Sequence, residues 1–223
     1  MRVDMHIHTR YSPDSLTTPQ DVVRWARRRR LGAIAITDHN TIRGALNVAR
    51  LSPIPVIVGE EITTQEGEII GLFLHQEIAP GRTARETVQE IRRQGGLVYV
   101  PHPIDRARKS ALGLDALLEI IDDVDILEVL NARVTFSIDN DQVRSLARTR
   151  GLLQGAGSDA HQGFEIGGVY VEMPPFEGPG EFMSSLAHGQ VHGRTASPLV
   201  HIGSTCARVA KNLRALLVPP HPS

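Results

Sequence analysis

Five of the ten histidines in this chain lie in short polar segments that directly follow apolar runs. His6 and His8 lie in DMHIHTRYSPDS, His39 in ITDHNT, His102 in VPHP and His161 in GSDAH. On a strand, residues i and i+2 share a face, so both side chains of a His-x-His or Asp-x-His pair can reach one cavity. Imidazole and carboxylate ligands suit Zn²⁺, Mn²⁺ or Fe²⁺. Several such pairs predict a polynuclear metal site.

The length of 223 residues is enough for one large core, and no internal stretch rich in Pro, Gly or Ser divides the chain. We therefore expect a single catalytic domain over residues 1–218. Residues 219–223 contain three prolines and little to bury, which predicts a flexible tail.

Composition bounds the partners and the compartment. Cys206 is the sole cysteine, so no intrachain disulfide can form, and a reducing compartment is the simplest interpretation. The sequence lacks a signal-peptide layout and any run near the ~20 apolar residues of a membrane span. We expect a cytoplasmic protein without a membrane partner. The net charge of −1 does not indicate a stable complex with nucleic acid.

Short apolar runs alternate with amphipathic stretches along the chain. The predicted strands are residues 3–7, 32–37, 55–58, 68–74, 97–100, 125–130, 153–156 and 190–194. The predicted helices are residues 19–30, 42–51, 84–94, 114–121, 137–150, 180–188 and 204–217. This alternation predicts a mainly parallel α/β sheet. Ligand candidates at strand ends favour a closed or nearly closed barrel of about seven strands, with an open doubly wound sheet as the alternative.

The ordered segments HIHTRYSPDS, ITDHNT, GEEIT, VPHP, EVLNAR and GSDAH resemble the motifs of the PHP (polymerase and histidinol phosphatase) family, most closely its small stand-alone phosphoesterases. The resemblance runs from Arg2 to about Ser204. It implies a distorted seven-stranded, TIM-like α/β barrel that holds two or three divalent metal ions, Mn²⁺, Zn²⁺ or Fe²⁺, at the C-terminal ends of its strands.

The resemblance also implies which residues bind these ions. A first metal would take His6, His8, Glu61 and Asp159. Glu61 would bridge to a second metal that also binds His102. A third metal would be held by three further side chains, namely Asp14, His39 and His161.

One position departs from the family pattern. Family members usually have a further histidine between the Glu motif and VPHP, whereas this chain reads EGEIIGLFLH. The polar candidates there are Glu68, before the predicted strand, and His75, at its end. We expect His75 to complete the second metal site.

Other polar residues of the motifs are candidates for substrate and for support. Asp38 is expected to act in catalysis by orienting a ligating histidine or contacting a metal, with an N-cap of the next helix as the alternative. Arg133 is the first candidate for binding a substrate phosphate, because a guanidinium can donate two parallel hydrogen bonds. The remaining candidates for contact with substrate are Arg10, Arg108, Lys109 and Asn131.

The expected activity is metal-dependent phosphoester hydrolysis by a hydroxide that the metals activate. No serine lies in a Gly-x-Ser-x-Gly elbow, so no protein nucleophile is expected. The expected substrate is a small phosphorylated metabolite or a nucleotide, such as a nucleoside mono- or bisphosphate or a short RNA 5′ end. The alternatives are a histidinol-phosphate phosphatase and a non-catalytic metal-binding domain.

Overall fold

The structure, a computed structural model, describes residues 1–196 and 200–217; the expected tail at 219–223 lies outside the described residues. The strands are β1 (Arg2–Asp4), β2 (Ala33–Ile36), β3 (Val56–Thr63), β4 (Glu68–Leu72), β5 (Leu97–Val100), β6 (Ile126–Asn131), β7 (Leu153–Gly157), β8 (Val169–Glu172) and β9 (Gln190–Gly193). The helices are α1 (Pro19–Arg28), α2 (Arg43–Leu51), α3 (Ala84–Arg93), α4 (Leu114–Ile120), α5 (Ser137–Arg150), α6 (Gly178–Leu186) and α7 (Val200–Leu217).

All nine strands form one sheet in the order β7-β6-β5-β4-β3-β2-β1-β8-β9. Strand β4 runs antiparallel to both β3 and β5, and the β8–β9 hairpin is added antiparallel to β1. The chain just after β1 returns to β7, because Met5 N donates to Ala156 O at 3.2 Å and Ile7 forms a parallel bridge with Ala160. Strands β1 to β7 therefore nearly close into a barrel.

Local sequence explains where the helices begin and end. Thr18 caps α1 in a reciprocal capping box with Asp21, and Pro19 occupies the first turn. Thr83 and Glu86 form the same box at α3. Helix α5 ends at Gly151, whose φ of 67° lies in the left-handed region that suits glycine. Strands β2 (AIAI) and β5 (LVYV) are apolar throughout, and β2, β4 and β5 are buried at every position.

The nearly closed α/β barrel confirms the predicted fold class. Two features differ from the prediction. Strand β4 is antiparallel because it leaves β3 through a tight turn, in which Thr64 N donates to Gly67 O at 2.7 Å, so no crossover helix intervenes. The sequence patterns also missed β8. In the part of the chain that the structure describes, no helix is long and apolar enough to cross a membrane.

Candidate metal centre

The expected metal ligands meet at one edge of the barrel, where the parallel strands end. His6 and His8 follow β1, His39 follows β2, His102 follows β5 and Asp159 follows β7. Glu61 lies within β3, and a parallel bridge joins it to His39. The C-terminal ends of parallel strands share one edge, so ligands that are distant in sequence converge there.

His6 and His8 give the clearest sign that the cluster suits a cation. Their Nε2 atoms lie 3.0 Å apart. The Nδ1 of His6 is 3.1 Å from Glu128 Oε1, and the Nδ1 of His8 is 3.0 Å from Ser12 Oγ, so each Nδ1 can donate its proton to an oxygen. Two neutral rings so bonded would point their Nε2 lone pairs at each other. This contact needs a positive charge between the rings, either a proton or a metal ion.

Glu61 lies at the middle of the cluster and is completely buried. Its Oε2 is 3.2 Å from His8 Nε2 and 3.1 Å from His39 Nδ1, while its Oε1 is 3.1 Å from His102 Nε2. One carboxylate therefore faces histidines from three strands, which is the arrangement a bridging metal ligand requires.

Asp14 and His161 form a second side of the cluster. Asp14 Oδ1 lies 3.2 Å from His161 Nε2, and Asp14 Oδ2 lies 3.7 Å from His39 Nε2. The Nδ1 of His161 donates to the backbone oxygen of Asp159 at 2.8 Å, which leaves Nε2 free for a cation. Within the described residues, His8, His39 and His161 form one of four groups whose ligand atoms lie within 4.8 Å of one another.

The buried carboxylate oxygens test whether this cluster fits a metal. Among the described residues, four such oxygens of the cluster have no hydrogen-bond partner, namely Asp14 Oδ1, Glu61 Oε2, Glu68 Oε2 and Asp159 Oδ1. An ionised oxygen that is buried without a donor costs several kcal/mol, on the order of the full desolvation penalty. Carboxylate oxygens and imidazole nitrogens converge here, and both are ligand atoms for divalent cations. The cluster therefore fits one or more divalent cations.

Charge in the cluster shifts the pKa values in the direction a cation site requires. Burial alone would lower the pKa of His8, but the nearby carboxylates of Asp159 and Glu61 outweigh burial and raise it to about 10. Burial opposes ionisation of Asp159, yet Arg108 and His6 hold the pKa of its carboxyl well below the ordinary value. The carboxylate of Asp159 is therefore ionised at neutral pH, and it attracts positive charge to the cluster.

His161 and Glu68 respond differently. Burial and the neighbouring His8 lower the pKa of His161 to about 4, so its imidazole is neutral and able to ligate at neutral pH. Burial and the charge of Glu61 raise the pKa of Glu68. A cation bound beside Glu68 and Glu61 would act in the opposite direction and lower this pKa.

Buried carboxylates outside the cluster hold the histidines in place. Glu128 accepts from Tyr99 Oη and from the backbone N–H of His102, both at 2.8 Å, as well as from His6. Asp38 accepts from the hydroxyl of Ser12 at 2.8 Å, and Ser12 in turn bonds His8. Asp38 thus acts on His8 through Ser12. This agrees with the orienting role expected of Asp38; direct contact with a metal does not fit, because Thr9 and Ser12 occupy both of its oxygens.

The alternative role of Asp38 as a helix cap is also wrong. Helix α2 begins at Arg43 with Ile42 as its N-cap and without a side-chain cap. Both oxygens of Asp38 are instead occupied by Thr9, through its backbone N–H at 2.6 Å and its hydroxyl at 2.7 Å.

The structure corrects one expected ligand, His75. Because β4 runs antiparallel, its first residue and not its last lies at the metal edge of the barrel. Glu68 pairs with Thr63 there, 3.6 Å from His39 Nδ1 and 3.8 Å from His102 Nε2. His75 is exposed at the opposite end of the strand. Glu68 therefore occupies the place at which we expected a histidine.

The expected substrate residues divide into two groups. Arg108 and Arg133 line a cavity of about 230 Å³ over the cluster. Arg10 and Lys109 are exposed and do not line it. Asn131 is completely buried and donates to Glu128 at 2.8 Å and to Asp159 at 3.3 Å, so it positions carboxylates and does not reach substrate.

Sequence reasoning missed several residues of the site. Glu128 lies within the EVLNAR motif and Ser12 within RYSPDS, and no role was predicted for either residue. A carboxylate or hydroxyl inside a ligand motif is a usable signal, since ligating histidines normally donate their second nitrogen to an acceptor. Arg208 of α7, which also lines the cavity, had no such signal because it is remote from every motif.

Comparisons with known proteins agree with this geometry. The family described as PHP domain matches residues 4–140, and the family described as PHP-associated matches residues 137–191. Two uncharacterised proteins of Methanocaldococcus jannaschii are similar in sequence. One is 42% identical over 59% of this chain and 82% of its own length; the other is 34% identical over 83% and 79%.

A solved structure is similar in fold. It is a two-domain protein of Bacteroides vulgatus, described as containing a predicted PHP-like metal-dependent phosphoesterase. Its TM-score is 0.67 at 19% identity, and the match covers 87% of this chain and 65% of that one.

Proposed function

The chain belongs to the PHP domain family, and on this premise we propose that it is a metal-dependent hydrolase of phosphate esters, acting on a small metabolite or a nucleotide. One observation carries the proposal. The Nε2 atoms of His6 and His8 face each other at 3.0 Å, beside the unpartnered oxygens of Glu61 and Asp159. A divalent cation satisfies all four groups at once.

The ligand sets we propose are those that the family resemblance implies, with one change at the second metal. His6, His8, Glu61 and Asp159 would hold the first metal. Glu61, Glu68 and His102 would hold the second, with Glu68 in place of His75. The third would be held by Asp14, His39 and His161. We propose Mn²⁺, Zn²⁺ or Fe²⁺ as the metals, since this donor set takes any of them.

When bound, such cations supply Lewis acidity and lower the pKa of water at the site. The chain's own residues do the rest. Glu128 and Ser12 hold the Nδ1 protons of His6 and His8, so that Nε2 of each ring is the ligand atom. Arg108 donates to Asp159 Oδ2 at 2.7 Å and leaves Oδ1 to the centre.

The size and charge of the cavity support a small anionic substrate. Arginines from three different segments line a space of about 230 Å³, which suits a phosphorylated metabolite or a nucleotide better than an extended strand. The segments matched by the two family models share one sheet. This supports our interpretation of residues 1–218 as a single catalytic domain.

The test is hydrolysis by metal-stripped protein that is reloaded with Mn²⁺, Zn²⁺ or Fe²⁺. The panel holds nucleoside monophosphates and bisphosphates, short RNAs and histidinol phosphate. We expect metal-dependent release of phosphate or nucleotide by the native protein but not by His8→Ala. His188→Ala is the control and should behave as the native protein does, because His188 is exposed just after α6. Stoichiometric metal without hydrolysis of any member would contradict the proposal.

A further inference from the structure

Helix α7 contacts the metal face of the barrel through one of its sides. Ser204, Ala207, Arg208 and Lys211 are spaced at i, i+3, i+4 and i+7, so they share a face of the helix. Ala207 is buried. Lys211 Nζ donates to the backbone oxygen of Arg10 at 2.6 Å and to that of Ser12. The helix is thereby attached to the loop that carries His8 and Asp14.

Three arginines line the cavity over the cluster, and two of them are held by buried groups. Arg108 is 2.7 Å from Asp159 Oδ2. Arg133 is only 3% exposed; it contacts Glu165 at 3.1 Å and donates to Ser204 Oγ at 2.7 Å. Both guanidinium groups are committed to protein partners. Both side chains are mostly buried, whereas the first cation that an incoming anion meets should be exposed.

Arg208 differs from both. Its side chain is 61% exposed, and its NH2 donates to Asp14 Oδ2 at 3.0 Å. A guanidinium has five N–H donors in a planar fork, so this one bond leaves most of them available. Asp14 Oδ1 remains without a hydrogen-bond partner and faces His161. Asp14 can therefore serve the metal centre with one oxygen while its other oxygen aims Arg208 into the cavity.

We propose that Arg208 binds the phosphate group of the substrate, which makes helix α7 part of the substrate site. This inference rests on the proposed phosphoesterase function and assigns substrate binding to a residue outside the PHP motifs. A phosphate dianion accepts two parallel hydrogen bonds from a guanidinium, and an arginine at the mouth of the cavity meets it first. Arg133 then acts mainly as the anchor of α7, through Ser204.

The test measures binding of inorganic phosphate to the metal-loaded protein by calorimetry, so it needs no knowledge of the natural substrate. We expect Arg208→Gln to weaken phosphate binding about tenfold or more, and Arg208→Lys to weaken it less. The matched control is Arg93→Gln. Arg93 is 68% exposed and paired with a carboxylate, Glu90, but it lies on α3 and does not line the cavity. The control should bind phosphate as the native protein does.

Metal content is measured on each variant. Unchanged metal with weakened phosphate binding supports the proposal. Native phosphate affinity in Arg208→Gln overturns it, and so does loss of a metal equivalent, which would make Arg208 only a holder of Asp14. Weakened phosphate binding in a protein that hydrolyses nothing on the panel would uphold Arg208 and reject the phosphoesterase. Hydrolysis of a panel member, together with native phosphate affinity in Arg208→Gln, would uphold the phosphoesterase and reject the role of Arg208.

Discussion

Two sets of carboxylates lie side by side in the interior of this barrel. The framework carboxylates are Asp4, Asp38 and Glu128, and the open carboxylates are Asp14, Glu61, Glu68 and Asp159. Each framework residue is completely buried, and both of its oxygens accept hydrogen bonds from protein donors. Each open residue keeps one oxygen without a donor. The open oxygens lie among the histidines.

The difference shows how a chain prepares a cation site. A satisfied carboxylate holds its neighbours in place and no longer attracts ions. An unsatisfied one carries a desolvation cost that a metal ion or a proton removes. Here the framework set fixes the donor nitrogens of His6 and His8, while the open set presents charge to them. Site and support are made of the same residue type and differ only in where the donors lie.

Loss of an open carboxylate or of a ligand beside it should have the largest effect. We expect His8→Ala and Asp159→Asn each to lower hydrolysis by about three orders of magnitude or more, because the metal is no longer held. Circular dichroism should report a folded barrel in both variants. Full activity in either one would show that the open set is not the ligand set.

Loss of a framework carboxylate should lower metal affinity indirectly, through the histidines that the carboxylate holds in place. In Glu128→Gln, an amide nitrogen replaces one of two oxygens that each accept two hydrogen bonds, so either the ring of His6 or the backbone N–H of His102 loses its acceptor. We expect metal affinity to fall about 10- to 100-fold, as for other partners of ligating histidines. Metal titration measures it, with exposed Glu119→Gln as the control. An unchanged affinity would remove the distinction between ligand and framework.

Glu60 sharpens the comparison because it is buried, has one unpartnered oxygen and lies outside the histidine cluster. Burial raises its pKa from the ordinary 4.5 to about 7. The folded state therefore retains a proton that the unfolded state releases, and stability falls as pH rises from about 4.5 to 7.

Glu60→Gln should remove this dependence. We expect the variant to gain about 1–3 kcal/mol of unfolding free energy at pH 8 relative to the native protein, and little at pH 4. Urea unfolding at the two pH values checks it. Equal gains at both would mean that the effect comes from packing and not from the buried charge.

The smallest effects separate the two candidates for the second metal. Glu68→Gln should weaken binding of one metal equivalent about tenfold, since an open carboxylate is lost. His75→Ala should bind metal as the native protein does, because His75 is exposed at the other end of β4. Metal content after dialysis against a weak chelator distinguishes them. Loss of metal in His75→Ala alone would reverse the assignment.

Much of the fold followed from local patterns. Helix α5 was predicted with its observed bounds, Ser137–Arg150, because its amphipathic period ends at a glycine. Strands β5 and β2 were placed to within a residue or so, since each is a short apolar run. Strand β8, which pairs with both β1 and β9, was missed because half-buried Tyr170 and exposed Glu172 interrupt its apolar run.

The site shows the same division. Histidine and carboxylate pairs after apolar runs predicted which residues converge, because parallel strands end at a common edge. The direction of β4 did not follow from its composition, and that direction decides between Glu68 and His75. The residues of a strand do not indicate the direction in which it runs in the sheet. How the strand pairs with its neighbours decides which of its ends lies at the metal edge of the barrel.

Residue types and their spacing were enough to predict the ligand atoms of this protein: imidazoles and carboxylates on strand ends, with no Gly-x-Ser-x-Gly motif. Which carboxylates are open and which are satisfied depends on the folded chain, because their donors come from distant segments, as Tyr99 does for Glu128. The tertiary structure also decided that α7 brings Arg208 to the cavity. Hydrogen bonding and burial depend on which residues are neighbours in space, and distant segments become neighbours only when the barrel has folded.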